Sequence, residues 1–170
     1  MLKISFALVA MLTAVPAFAA DAPPLPDARP APIPAARGPS LELAAEAARV
    51  AIDTCAANGE QKTAASVVDS AGILKALLAY DGTSQRGVQS STNKAVTALS
   101  FKTETSQLGE RAKNDKAFAD QIAADAKLNV RPGGVLIKSG DEIIGAIGVG
   151  GGKTDEECAL AGLRKIQGKF

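Results

Sequence analysis

The segment Glu142–Leu163, EIIGAIGVGGGKTDEECALAGL, limits the possible folds more than any other part of this sequence. Its first half alternates β-branched residues with glycine, which is typical of a buried strand that another part of the chain approaches closely. Three consecutive glycines then free the backbone, and Thr154 with Glu157 predicts a capping box that begins a helix. A strand this apolar must be buried, so other helices or strands of the chain have to pack against both of its faces.

The remaining sequence supplies those layers. Leu41–Asn58 has apolar side chains at helical spacing and follows Ser40, a good N-cap, so it predicts the first helix. Thr63–Asp69 and Ile73–Tyr80 flank a glycine-containing turn and predict an antiparallel hairpin. Further helices are predicted over Val88–Phe101, Thr105–Ala126 and Thr154–Gln167, a second hairpin over Val135–Lys138 and Glu142–Val149, and a short fifth strand near Leu128–Val130. The pattern indicates an α+β domain, residues 40–170, with a mostly antiparallel sheet covered by helices.

The N-terminal segment predicts export. Residues 1–19 combine Lys3, the apolar run Ile4–Val15 and the small-x-small site Ala17–Ala19, so we predict a signal peptide cleaved near Ala19 and a periplasmic or secreted protein. An uncleaved anchor is the alternative. Residues 20–39 hold seven of the nine prolines and predict a disordered arm, either a solvated spacer or a segment that lies across a neighbouring subunit.

Charge argues against two classes of partner. Lys3 is the only charged residue in the predicted signal, so the remaining chain has 18 basic and 18 acidic residues. A neutral chain with few aromatic residues lacks the basic surface that binds nucleic acid or anionic membranes. We therefore expect neither partner.

Cys55 and Cys158 are the two cysteines of the chain. In an exported protein without metal-ligand spacing, two cysteines most simply form a disulfide, which would make the first and last helices neighbours. Two buried thiols are the alternative.

Absent residue types exclude much chemistry. The chain has no histidine, and Met1 and Met11 both lie in the predicted signal. Catalytic sites built on Ser-His-Asp or Cys-His are therefore excluded, as are zinc sites that need imidazole. The glycines before Thr154 do not have the spacing of a phosphate-binding loop, since Ile147 stands where its first glycine is required. Acidic residues 155–157 fit a solvated helix start better than a metal site, and we predict no metal site.

Three segments resemble a known family: Val67–Gly82, Ser91–Thr105 and Glu142–Leu163. The middle one contains the pattern K-A-x-T-A-x-x-F, matched by Lys94, Ala95, Thr97, Ala98 and Phe101. Over residues 41–170 the chain resembles the GlcG/HbpS family, the haem-binding or haem-degrading domain. The resemblance implies a three-layer, profilin-like fold with a five-stranded antiparallel sheet, a small-molecule cleft beside the Lys94 helix, and symmetric homo-oligomers.

Candidate site residues follow from the residues and the resemblance together. We predict ligand binding by Tyr80, Asp81, Lys94, Thr97, Phe101, Gly148, Gly150 and Gly151. Lys94 and Thr97 fall one helical turn apart and either contact the ligand, or pair with an acid and with the helix backbone. Tyr80 is the chain's one tyrosine and the candidate phenolate ligand for haem iron; alternatively it is an ordinary strand residue.

The leading hypothesis is an exported small-ligand-binding protein, with haem or another tetrapyrrole bound without histidine ligation. One alternative is an enzyme or accessory protein that acts on a small carboxylate such as glycolate. Another is a structural or interaction domain without a ligand. We favour a non-catalytic binding protein.

Overall fold

The computed structural model describes residues 35–170, so the predicted signal peptide and most of the predicted arm lie outside the described residues. Its elements are α1 (Leu41–Ala57), β1 (Ala64–Asp69), β2 (Leu74–Ala79), α2 (Gln85–Phe101), α3 (Thr105–Asn114), α4 (Lys116–Ala124), β3 (Gly134–Ser139), β4 (Glu142–Gly150) and α5 (Asp155–Ile166). The predicted helices and both predicted hairpins are present, with ends shifted by a few residues. In this part of the chain, no helix is long and apolar enough to cross a bilayer.

The sheet has four strands in the order β2-β1-β4-β3, and each neighbouring pair is antiparallel. The prediction of five strands is therefore wrong: among the described residues, the sheet has one strand fewer. The expected fifth strand, Leu128–Val130, runs as a loop. Asn129 explains why: its backbone N–H donates to Thr97 Oγ1 at 2.9 Å and its side-chain amide donates to Ser90 Oγ at 3.0 Å. The loop is thereby bonded to α2 instead of to a sheet edge.

Helices cover both faces of the sheet, so the helices and the sheet together form three layers. α1 and α5 pack together on one face, over the larger apolar core, while α2 lies on the other face. The buried side of α1 is rich in alanine, which allows the helix to come close to the sheet and to α5; its buried alanines are Ala44, Ala47, Ala48 and Ala51. Residues 35–170 therefore form two helical layers with one sheet between them.

α2 lies directly on the glycines of β4. A Cβ at Gly148 would come within 2.0 Å of the Ser91 carbonyl oxygen, and one at Gly150 within 2.7 Å of the Gly87 carbonyl oxygen. Only glycine allows the strand and helix backbones to approach this closely. The contact fixes the position of α2 and, with it, that of Lys94.

A disulfide joins the two helices of the opposite layer. Cys55, near the end of α1, is bonded to Cys158, in the first turns of α5, with 5.5 Å between their Cα atoms. The predicted pairing is confirmed. Both cysteines are fully buried, so the bond lies inside the larger core.

The last residues of the predicted arm pack on the domain. Arg37 and Ser70 exchange hydrogen bonds, from Arg37 N–H to Ser70 Oγ at 2.9 Å and from Ser70 N–H to the Arg37 carbonyl at 2.8 Å. Pro39 is fully buried, and Ser40 then caps α1 by accepting from Leu43 N–H at 3.2 Å. These contacts attach residues 37–40 to the domain.

Candidate ligand-binding cleft

A cleft of about 760 Å³ opens at one end of the sheet. Its walls are the N-terminal half of α2, the turn that precedes β3, and the loop from β4 into the first turn of α5. This size falls within the usual range for small-molecule sites. Seven charged residues line it: Arg86, Lys94, Arg131 and Lys153 are basic, and Asp155, Glu156 and Glu157 are acidic.

Lys94 and Asp155 form a buried ion pair in the wall of the cleft. Lys94 Nζ lies 2.6 Å from an Asp155 carboxylate oxygen and donates a second hydrogen bond to the Val149 carbonyl at 2.9 Å. Their side chains are only 3% and 9% exposed. Burial lowers the pKa of the Lys94 ammonium, while the hydrogen bond and charge of Asp155 oppose that shift. The pair joins α2, β4 and α5 at one point.

The turn Arg131–Gly134 covers this ion pair. Gly133 has a φ of +125°, and a Cβ there would lie 3.0 Å from Lys94 Nζ and 2.8 Å from Asp155 Cβ. Glycine is required both for that backbone angle and for the space occupied by the pair. The same turn places Arg131 at the cleft. Pro132-Gly133-Gly134 is typical of a turn, but nothing in those residues indicates a contact with Lys94.

Gln61 holds the loop that forms the opposite wall. Its side-chain oxygen accepts from the backbone N–H groups of Lys153 and Thr154, the latter at 3.2 Å, and its amide donates to Thr154 Oγ1 at 2.9 Å. The predicted capping box is wrong, because the Thr154 side chain makes no cap hydrogen bond and its hydroxyl accepts from Gln61 instead. Sequence reasoning missed Gln61, since a loop glutamine far from the glycine segment carries no local signal.

The charged residues at the rim differ in exposure and in their hydrogen-bond partners. Arg86, Arg131 and Lys153 are exposed. Glu156, by contrast, accepts a hydrogen bond from Ser106 Oγ at 2.6 Å. Asp155 is bonded to Lys94, and Glu157 is exposed. The three exposed cations are the groups that can pair with a ligand carboxylate.

Among the predicted site residues, Lys94 and Gly151 line the cleft. Thr97 is fully buried one turn from Lys94, but its hydroxyl bonds the Asn129 backbone and not its own helix. Gly148 and Gly150 lie beneath α2 and do not line the cleft. A ligand role for these three stays a prediction that their contacts do not support.

Tyr80, Asp81 and Phe101 also lie outside the cleft lining. Tyr80 follows β2 and is 39% exposed, and Asp81 is exposed beside it. Phe101, at the end of α2, packs edge-to-face on Phe118 with ring centres 5.5 Å apart. Ligand binding by this group likewise stays a prediction. Within residues 35–170, no cluster of cysteine and acidic side chains could hold a metal ion.

The fold and the cleft define a class: a three-layer α+β domain with a charged, ligand-sized cleft between a glycine-packed helix and the start of the last helix. The chain belongs to the HbpS-like family, since the family model described as haem degrading protein HbpS-like matches residues 40–164. No curated protein sequence is significantly similar to it.

Solved structures agree with this assignment. A double mutant of HbpS from Streptomyces reticuli is 27% identical, with a TM-score of 0.69 over 91% of this chain and 99% of that chain. The protein ORFY from Klebsiella pneumoniae is 22% identical, with a TM-score of 0.71 over 81% of this chain and 97% of that one. PduOC, solved as a complex with haem, is 20% identical, with a TM-score of 0.69 over 76% of this chain and 96% of that one. The last two likenesses show the fold alone.

Proposed function

We propose that this protein binds haem or another tetrapyrrole in the cleft between α2 and α5. The observation that carries the proposal is a cleft of about 760 Å³ with exposed Arg86, Arg131 and Lys153 at its rim. Membership of a family described by haem degradation supports this ligand class, as does the haem bound to PduOC, a protein of the same fold.

The cleft suits the carboxylates of haem better than its iron. Guanidinium and ammonium groups pair well with propionates, and Pro132 and Leu160 add apolar surface to the lining. Haem iron is usually held by His, Met, Cys or Tyr. The chain has no histidine, its cysteines form a disulfide, and Tyr80 lies outside the lining. We therefore expect binding through carboxylate pairing and ring contacts.

Titration of the purified protein with hemin, followed by the haem absorbance band, tests this proposal. The variant Arg131→Gln/Lys153→Gln removes two rim cations; Arg164→Gln/Lys127→Gln removes two exposed cations outside the lining and is the matched control. We expect the first variant to bind about fivefold more weakly, since each of the two lost pairs is worth a few tenths to about 1 kcal/mol. The control should bind normally. Equal binding by both variants, or no saturable binding by the wild type, contradicts the proposal.

The variant Tyr80→Phe tests phenolate ligation separately. Because Tyr80 lies outside the cleft lining, we expect the absorbance maximum and affinity of the bound hemin to remain unchanged. A shifted maximum with weaker binding would instead identify a second haem position, with the iron at Tyr80.

A small carboxylate is the second candidate ligand, and the same rim cations support it. Ligands that bind the native state raise the melting temperature. Thermal shifts with small monocarboxylates that exceed those with hemin would favour this candidate, and with it an enzyme or accessory role.

We also propose that the protein is exported and forms homo-oligomers. The Cys55–Cys158 disulfide supports export, because disulfides persist in oxidising compartments. The oligomer rests on the family resemblance alone. Cell fractionation and sizing by light scattering test these two proposals.

A further inference from the structure

Binding of ligand carboxylates by the rim cations leaves the buried Lys94 without a chemical role. We propose that Lys94 is the nucleophile of a covalent site, where it forms an imine with a small carbonyl compound that also bears a carboxylate, the class of the 2-oxo acids. This inference requires the cleft to admit a small ligand but does not require that ligand to be haem.

The geometry gives Lys94 both access and a proton acceptor. Lys94 is one of the residues that line the cleft, although its side chain is only 3% exposed. Asp155 and Val149 take two of the three positions on its nitrogen, and the hydrogen bonds of the described residues leave the third free.

The surroundings also favour the nucleophilic form of the amine. Burial lowers the pKa of Lys94, and the positive charge of Arg131 lowers it further, while Asp155 and Glu156 raise it. Desolvated lysines beside another cation are the lysines that react with carbonyl carbon. The Asp155 carboxylate, 2.6 Å away, can accept the ammonium proton and later return it.

The proposed step balances without any further reactant. Asp155 takes a proton from the Lys94 ammonium, and the amine lone pair forms a C–N bond to the carbonyl carbon while the C=O π pair moves to oxygen. Asp155 protonates that oxygen, removes a second proton from nitrogen and delivers it to the hydroxyl, which leaves as water. The products are a protonated imine on Lys94, one water molecule and the Asp155 carboxylate in its starting state.

The rim explains why the ligand should carry a carboxylate. Arg131 and Lys153 are exposed cations in the lining that Lys94 shares. A carboxylate held there brings the adjacent carbonyl near the amine and raises its effective concentration. A ketone without a carboxylate lacks this advantage.

Reductive trapping on the whole protein tests the proposal. The protein is incubated with pyruvate and sodium cyanoborohydride, and adducts are mapped to individual lysines by mass spectrometry. Exposed lysines such as Lys116 and Lys127 serve as internal controls. We expect Lys94 to be labelled at least about tenfold faster than they are. Acetone should show no such preference.

A pair of variants isolates the role of the rim. Arg131→Gln should slow Lys94 labelling by about fivefold, because it removes one carboxylate partner worth up to about 1 kcal/mol. Arg164→Gln, outside the lining, should leave the rate unchanged. Labelling confined to exposed lysines, or no labelling of any lysine, overturns the proposal. Hemin titration does not depend on this chemistry, so either proposal can fail alone.

Discussion

At the scale of single residues, the cleft is organised by one buried charge pair. Lys94 was a candidate from the sequence because it begins the K-A-x-T-A-x-x-F pattern, but its partner was not identified. Asp155 was interpreted only as part of an acidic helix start. The partner could not be inferred, because 61 positions separate the two residues and the sheet alone brings them together.

Breaking this pair on one side should destabilise the protein strongly. In Lys94→Met the buried Asp155 carboxylate loses its cation, which typically costs about 3–5 kcal/mol. Lys94→Met/Asp155→Leu removes both charges and should recover most of that loss, since apolar replacement of a buried pair is often neutral. Urea unfolding monitored by circular dichroism measures both. A double variant no more stable than the single one would contradict this account.

At the scale of elements, the glycines of β4 act in packing. They were predicted to bind a ligand through their backbone, yet Gly148 and Gly150 are covered by α2. A glycine in a strand indicates close approach by something, and the sequence does not say whether that is a helix or a ligand.

Gly148→Ala should therefore destabilise the domain even without a ligand. The added methyl would meet the Ser91 carbonyl at 2.0 Å and force α2 away from β4, and overpacking of this kind costs about 1–3 kcal/mol. Gly140→Ala is the comparison: nothing lies within 4 Å of its Cβ, and its φ of +60° adds a backbone penalty of only about 1 kcal/mol. Chemical denaturation ranks the two. A smaller loss at Gly148 than at Gly140 would refute the packing role.

Local patterns predicted the elements better than the connections. Ser40 and the apolar spacing after it placed α1 correctly, because capping and amphipathicity depend on neighbouring residues. The expected strand Leu128–Val130 and the capping box at Thr154 failed because distant side chains, Thr97 and Gln61, took the backbone and hydroxyl groups concerned. Such competition is not visible in a short window of sequence.

At the scale of the whole molecule, the two helical layers are fixed by different means. α2 is fixed to the sheet by glycine contacts and the Lys94–Asp155 pair, whereas α1 and α5 share an apolar core and a disulfide. The cleft lies where α5 begins, so its shape depends on both. The family resemblance led to the cleft beside the Lys94 helix, but residues from three separate parts of the chain line it. Their meeting follows from the topology and not from any one motif.

The disulfide should contribute a large part of the stability of the fold. Cys55 and Cys158 are 103 positions apart, and closing a loop of about that length restricts the unfolded chain by roughly 4–5 kcal/mol in the chain-entropy model. Cys55→Ala/Cys158→Ala should lose about that much free energy of unfolding in urea. Wild-type protein equilibrated with dithiothreitol should match the variant, while the variant should not respond to the reductant. A loss below about 1 kcal/mol would mean that the apolar core between α1 and α5 holds the layer without the covalent bond.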